Sequence, residues 1–165
     1  LILKDQSNLY DKKAEEYLDM IKTTKYGKYL NIDVINDIIF ISKNLDLISL
    51  NRLYNLTDCY VSPYRAEGFN LPPLEAAAVG TPIIVTKGGS TDDYFHPSLG
   101  LQIDSVQFEK NNSRKVEPKI DSLIECIERI ILNPNNFGQI KGSQFIQNNY
   151  NWKIITNQLY KVFNE

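Results

Sequence analysis

The sequence predicts an α/β fold: a Rossmann-like parallel sheet flanked by helices, with extra helices at the C-terminal end. Three observations carry this. Short apolar runs alternate with stretches of helical period along most of the chain, the pattern of βα units joined by right-handed crossovers. The run Asp37-Ile38-Ile39-Phe40-Ile41-Ser42 is apolar almost throughout, as expected of a strand covered on both faces. Between Val61 and Pro82 a loop and a helix join two such runs, and open α/β sheets hold their ligands at junctions of this kind.

Taken in order, Leu1–Leu3 reads as a strand already under way, so the chain is expected to be part of a longer polypeptide. Tyr10, Ala14, Tyr17, Leu18 and Ile21 share one face of a helix. Tyr26 to Asn36 reads as a polar, irregular connector before the strand Asp37–Ser42. Leu47, Leu50, Leu53 and Tyr54 mark a short helix ending near Thr57-Asp58. Strands are expected at Cys59–Ser62 and Pro82–Thr86, with a helix over Pro72–Val79 capped by Gly80 between them. A short helix from about Thr91 and a strand around Leu99–Ile103 follow. Val106 to Val116, charged and asparagine-rich, reads as a loop. Ile120, Leu123, Ile124, Ile127, Ile130 and Ile131 trace an amphipathic helix that Asn133-Pro134 ends. Two helices close the chain, near Asn135–Asn148 and from Trp152 through Val162, and Trp152, Tyr160 and Phe163 read as packing residues.

The 165 residues suit one domain, 1–165, and 42% hydrophobic content is ordinary for a globular chain. No run approaches the length that spans a bilayer, and no leader pattern opens the sequence. Cys59 and Cys126 each sit in apolar surroundings and read as reduced core thiols, which fits a cytoplasmic protein. With 18 basic and 20 acidic residues there is no electrostatic case for nucleic acid.

The chemistry concentrates in Pro-Tyr-Arg-Ala-Glu-Gly-Phe-Asn-Leu-Pro-Pro-Leu-Glu-Ala-Ala-Ala-Val-Gly, residues 63–80. Glu67 precedes a glycine in the loop, and Glu75 lies one turn inside the helix. Two carboxylates do not serve a phosphate, but they do grip sugar hydroxyls through charge-assisted hydrogen bonds, while backbone N–H groups hold the charged part of a ligand. Gly68 lets the backbone come close to that ligand. The helix start favours an anion, but Pro72 and Pro73 have no N–H, so the phosphate must lean on the amides from Gly68 to Leu71. The blander reading is that both acids merely favour the helix start. His96 reads as a surface or capping residue, and Asp92-Asp93 after Ser90-Thr91 as helix capping rather than a metal pair.

This segment resembles the E-x7-E motif of the retaining, nucleotide-sugar-dependent glycosyltransferases of family 4, also called group 1. The likeness extends through Leu53-Tyr54-Asn55 with Thr57–Val61 before it, and through Gly80–Val85, Gly88-Gly89, Thr91–Asp93 and Tyr150-Asn151-Trp152 after it. The resemblance implies the C-terminal, donor-binding half of a two-domain GT-B enzyme, its first strand–helix unit and its N-terminal partner domain lying outside this chain. It implies that Glu75 binds ribose hydroxyls and that Glu67 is the catalytic acid beside the donor sugar. The amides of Gly68, Phe69, Asn70 and Leu71 would hold the diphosphate, and the base would rest near Ile41-Ser42. It further implies no metal, no cofactor beyond the nucleotide sugar itself, and membrane contact only through the absent half. Two departures stand out: the family's basic pair is missing, leaving Lys4 and Arg65 as the nearest cations, and Asn70 stands where glycine is frequent. Two rival classes share some of these features. One is another twin-Rossmann enzyme, such as a nucleotide-sugar epimerase or a phosphorylase; the other is a non-catalytic nucleotide-sugar-binding domain.

Overall fold

The computed structural model describes residues 1–4, 14–110 and 113–164, which form two compact units, Leu1–Ile48 and Ser49–Glu165. In the first unit, β1 (Ile2–Lys4) and β2 (Ile39–Ile41) pair in parallel, with Lys4 opposite Ile41. Between them run α1 (Ala14–Lys22), a 3-10 turn at Gly27–Tyr29 and α2 (Ile32–Asn36). The expected irregular connector is therefore partly helical: the Asn31 side chain accepts from Val34 N–H at 2.9 Å and caps α2. Two further expectations change here. Ile39 on β2 is 59% exposed rather than covered on both faces, and none of α1 is buried. Of the α1 face read from sequence, Tyr10 lies outside the described residues.

The second unit carries the layered core. α3 (Leu47–Leu56) leads to β3 (Tyr60–Ser62), α4 (Leu71–Ala78), β4 (Ile83–Thr86), a 3-10 turn at Ser90–Asp93 and β5 (Gly100–Ile103). The three strands are parallel in the order β3-β4-β5, with Ile84 between Val61 and Leu101. All of β4 is buried, and its alternating side chains feed two clusters. Ile83 and Val85 pack with Tyr54, Ala76, Ala77, Tyr94, Leu99 and Ile146. Ile84 packs on the other face with Leu101, Ile103, Cys126 and Ile130. Helices thus cover both faces of the sheet: α3, α4 and α6 (Gln139–Asn149) on one, α5 (Ile120–Leu132) on the other. The fold class read from the sequence holds.

Two readings in this unit are corrected. The stretch expected as a loop at 106–116 is an antiparallel hairpin, β6 (Ser105–Lys110) with β7 (Ser113–Pro118). Its charges mask a period-two pattern, in which Val116 is buried opposite Gln107 while Val106 points outward. The amphipathic helix expected after it is α5, on which Leu123, Cys126 and Ile130 carry the contact and Ile120, Ile124 and Ile131 stay exposed. Along α7 (Trp152–Asn164) the aromatic residues do not pack: Trp152 is 85% exposed, and Tyr160 and Phe163 are exposed as well.

Both cysteines are free and belong to the α5-side cluster. Burial, followed by the nearby Cys126 and Asp58, pushes the Cys59 thiol up to about 12. Burial also raises Cys126. Neither thiol ionises near neutral pH, and only thiolates alkylate quickly. Iodoacetamide at pH 8 is expected to leave both unlabelled in the folded protein and to label both in urea; rapid labelling of the folded chain would contradict this packing.

Candidate functional site

The site grows from one backbone turn. At the end of the loop after β3, Asn70 takes a left-handed conformation, φ 64° and ψ 68°, and serves as the N-cap residue of α4. Asparagine is one of the few side-chain-bearing residues that adopt this region readily, which explains why it can replace glycine here. The side chain does not cap the helix. Its Nδ2 donates to Ser62 Oγ at 2.9 Å, tying the turn back to the end of β3. Its carbonyl accepts from Tyr94 Oη at 2.8 Å. Asn70 is only 9% exposed, so these bonds lock the turn from within.

This lock presents the preceding loop to solvent. Gly68 and Glu67 are exposed, and Phe69 leans against Tyr94 with ring centroids 5.3 Å apart. Among the described residues no backbone acceptor takes the N–H groups of Gly68, Phe69 or Asn70. Leu71, first residue of α4, has an N–H with no acceptor within its helix. Gly68 lacks a positive φ, and a Cβ added there would meet nothing within 4 Å. Neither backbone conformation nor internal packing therefore calls for glycine at this position.

The two acids flank the loop. Glu75, on the first turns of α4, accepts from Tyr54 Oη at 3.0 Å, which fixes one carboxylate oxygen and leaves the other available. Glu67 makes no hydrogen bond or ion pair with another described residue. Burial pushes the Tyr60 hydroxyl up first, and the charges of Glu75 and then Glu67 push it further. Burial is also the main cause that raises the Tyr94 hydroxyl, the charge of Glu67 being a lesser one.

Tyr54, Ser62 and Tyr94, which hold these parts, went unread in the sequence as site residues. A further one is Tyr64, buried beneath the loop: its hydroxyl donates to Thr86 O at 3.1 Å, meets Thr91 Oγ1 at 2.8 Å and accepts from Thr91 N–H at 3.1 Å. The signal for it was faint, an aromatic between a proline and an arginine in an otherwise polar loop.

A Cβ at Gly89 would sit 2.6 Å from Tyr64 Oη, so this position is glycine to seat that ring. Asp92 does not cap the 3-10 turn but accepts from Gly88 N–H at 2.9 Å and from Gln102 Nε2 at 2.6 Å. His96 is a surface residue, as expected, stacked on Phe145 at 4.5 Å and bonded to Ser98. Arg65 is not held out toward the loop amides: its guanidinium forks onto Glu117, Nε to Oε2 at 2.6 Å and Nη2 to Oε1 at 2.7 Å. In the first unit, Lys4 ends β1, and Ser42 helps line a hollow of about 410 Å³ with Glu15, Phe40, Ile41, Lys43 and Leu45. A second hollow, about 420 Å³, opens between the C-terminal end of α4 and α6. Gln139, Ser143, Gln144 and Gln147 line it, with no charged side chain.

Comparison with known proteins bears on the fold and the family of the chain. The family model for glycosyl transferases group 1 matches residues 28–152. A protein provisionally named glycosyltransferase 63 from Sulfolobus islandicus filamentous virus (isolate Iceland/Hveragerdi) is 31% identical over 115 residues, covering 67% of this chain and 38% of its own. Sucrose synthase of Solanum tuberosum is 26% identical over 155 residues, 90% of this chain and 18% of its own. Among solved structures, sucrose-phosphate synthase from Thermosynechococcus elongatus superposes with a TM-score of 0.73 at 22% identity, over 99% of this chain and 37% of that one. That likeness extends to the GT-B type of fold. The chain thus spans well under half the length of each protein it matches here. With its α/β sheet and the family match over most of its length, the chain belongs to the group 1 glycosyl transferases.

Proposed function

We propose that this chain is the donor-binding part of a retaining, family 4 glycosyltransferase that moves a sugar from a nucleoside-diphosphate carrier to an acceptor bound elsewhere in the whole enzyme. The observation that carries the proposal is a loop whose Gly68, Phe69 and Asn70 amides find no backbone acceptor among the described residues, set in sequence between Glu67 and a Glu75 held by Tyr54. Glu75, steadied by Tyr54, accepts from the vicinal hydroxyls of the ribose. The amides of Gly68, Phe69, Asn70 and Leu71 take the diphosphate, aided by the N-terminal end of α4. When the bond from anomeric carbon to phosphate oxygen breaks, negative charge grows on the diphosphate, and these donors are already in place to meet it. Glu67, beside the sugar, orients its hydroxyls and favours the positive charge developing at the anomeric carbon. The acceptor oxygen then bonds that carbon on the face the diphosphate leaves, and the acceptor's proton passes to the departing phosphate oxygen. Reduced thiols fit a cytoplasmic enzyme.

Calorimetric titration with UDP-, GDP- and ADP-glucose is expected to show binding of at least one. Glu75→Ala is expected to weaken it by tenfold or more, about the worth of one charge-assisted hydrogen bond at roughly 1.5–3 kcal/mol. Failure of every nucleotide sugar to bind would refute the proposal.

Two glycines separate ligand approach from packing. Gly68→Ala is expected to leave the melting temperature unchanged and to weaken donor binding several-fold, since the new methyl group meets only the ligand. Gly89→Ala is expected to lower the melting temperature, since its Cβ collides with Tyr64. The reverse pattern would place the ligand elsewhere.

The 165-residue chain alone is expected to bind donor yet transfer no sugar, and turnover by it would show that no further domain is required.

A further inference from the structure

The hairpin β6–β7 interrupts the strand–helix alternation, and the donor site as described makes no use of it. Its contacts are nevertheless directed at that site. Ser105 Oγ donates to Lys87 O at 2.6 Å, and Gln107 Nε2 donates to Gly88 O at 3.3 Å, so β6 holds the turn after β4. From β7, Val116 N–H donates to Arg65 O at 2.9 Å, and Glu117 receives the fork of the Arg65 guanidinium. Gln107 and Val116 are direct partners in the hairpin register, so the grips on the two loops sit side by side. One short insertion thereby fastens both loops at the carboxyl ends of β3 and β4, and one of them carries Glu67 and Gly68.

The ionic part of this fastening contributes little to stability. The Arg65 and Glu117 side chains are 67% and 47% exposed, and solvent screens such a pair strongly. What a bidentate fork does supply is direction, because the planar guanidinium accepts a carboxylate in one orientation. Arg65 lies two residues before Glu67, so its orientation sets the path of the chain into the loop.

We propose that the Arg65–Glu117 pair positions the donor loop, Glu117 acting through Arg65 to hold the Glu67 carboxylate and the Gly68 amide where the nucleotide sugar meets them. This rests on the donor-binding reading above, and Glu117 is a positioning residue that touches no substrate. The competing role for the same arginine, direct contact with the diphosphate, requires the opposite response. If Arg65 bound phosphate, releasing it from Glu117 would strengthen binding; if the pair positions the loop, release weakens it.

The test is titration of the unsubstituted protein, Glu117→Gln and the exchanged pair R65E/E117R with UDP, GDP and ADP, together with melting curves. The expected result is that Glu117→Gln weakens binding about tenfold, the order of loss that a small misplacement of binding groups produces. Its melting temperature stays unchanged, and the exchanged pair regains most of the lost affinity. Equal or tighter binding by Glu117→Gln, or no recovery in the exchanged pair, overturns the proposal. So does a loss of affinity that merely follows a fall in melting temperature, which marks a structural role. If the unsubstituted protein binds none of the three, the donor reading falls as well; binding that Glu117→Gln leaves intact removes the positioning role alone.

Discussion

The left-handed turn at Asn70 is the constraint on which the rest of the site depends. A single residue with φ 64° ends the loop, begins α4 and sends its carbonyl inward to Tyr94 and its side chain back to Ser62. Were the turn to relax into the ordinary extended region, the helix would leave the strand in another direction and Glu75 would move with it. The loop amides would then have no fixed aim. Holding such a conformation in a non-glycine residue costs on the order of 1 kcal/mol, and the two buried hydrogen bonds offset it. Strain of this size, kept by specific bonds at the end of a sheet, fits a site prepared in advance of its ligand.

Beneath the turn, the polar parts are arranged so that nothing internal competes for the ligand groups. Tyr64 fills its hydrogen-bonding capacity with Thr86 and Thr91, Tyr94 with Asn70, and Tyr54 with Glu75. The three hydroxyls thus tie α3 to α4 and the loop after β3 to the loop after β4, while their rings join the apolar layer or lie against it. Above them, the amides of Gly68, Phe69 and Asn70 find no backbone acceptor and Glu67 no hydrogen-bond partner among the described residues. Rigid support below and free hydrogen-bonding groups above are what binding a flexible, highly charged donor requires.

Much of this was legible in the sequence, for a local reason. The sheet of the second unit was readable because β4 is buried on both faces and flanked by helices whose period is unambiguous. The acids were readable because their spacing and the proline pair lie within one short segment. What escaped was non-local. The hairpin at 105–118 hid behind its charges, since the burial of Val116 depends on Arg65 and Gly88, far away in sequence. The partner of Arg65, Glu117, lies 52 positions on, and nothing near the arginine announces it. The reason for glycine at 89 is equally distant, since the ring it accommodates lies in another loop. The overestimated packing along α7 has a different cause: amphipathic period reports which face is apolar, not what covers it.

Mapping the backbone amides by nuclear magnetic resonance during titration with a nucleoside diphosphate tests the central claim most directly. The account predicts that the largest shifts fall on Gly68, Phe69, Asn70 and Leu71, with the Tyr54 and Glu75 amides following. Saturable binding with those four signals unmoved, and the shifts gathered instead around Gln139–Gln147, would contradict it.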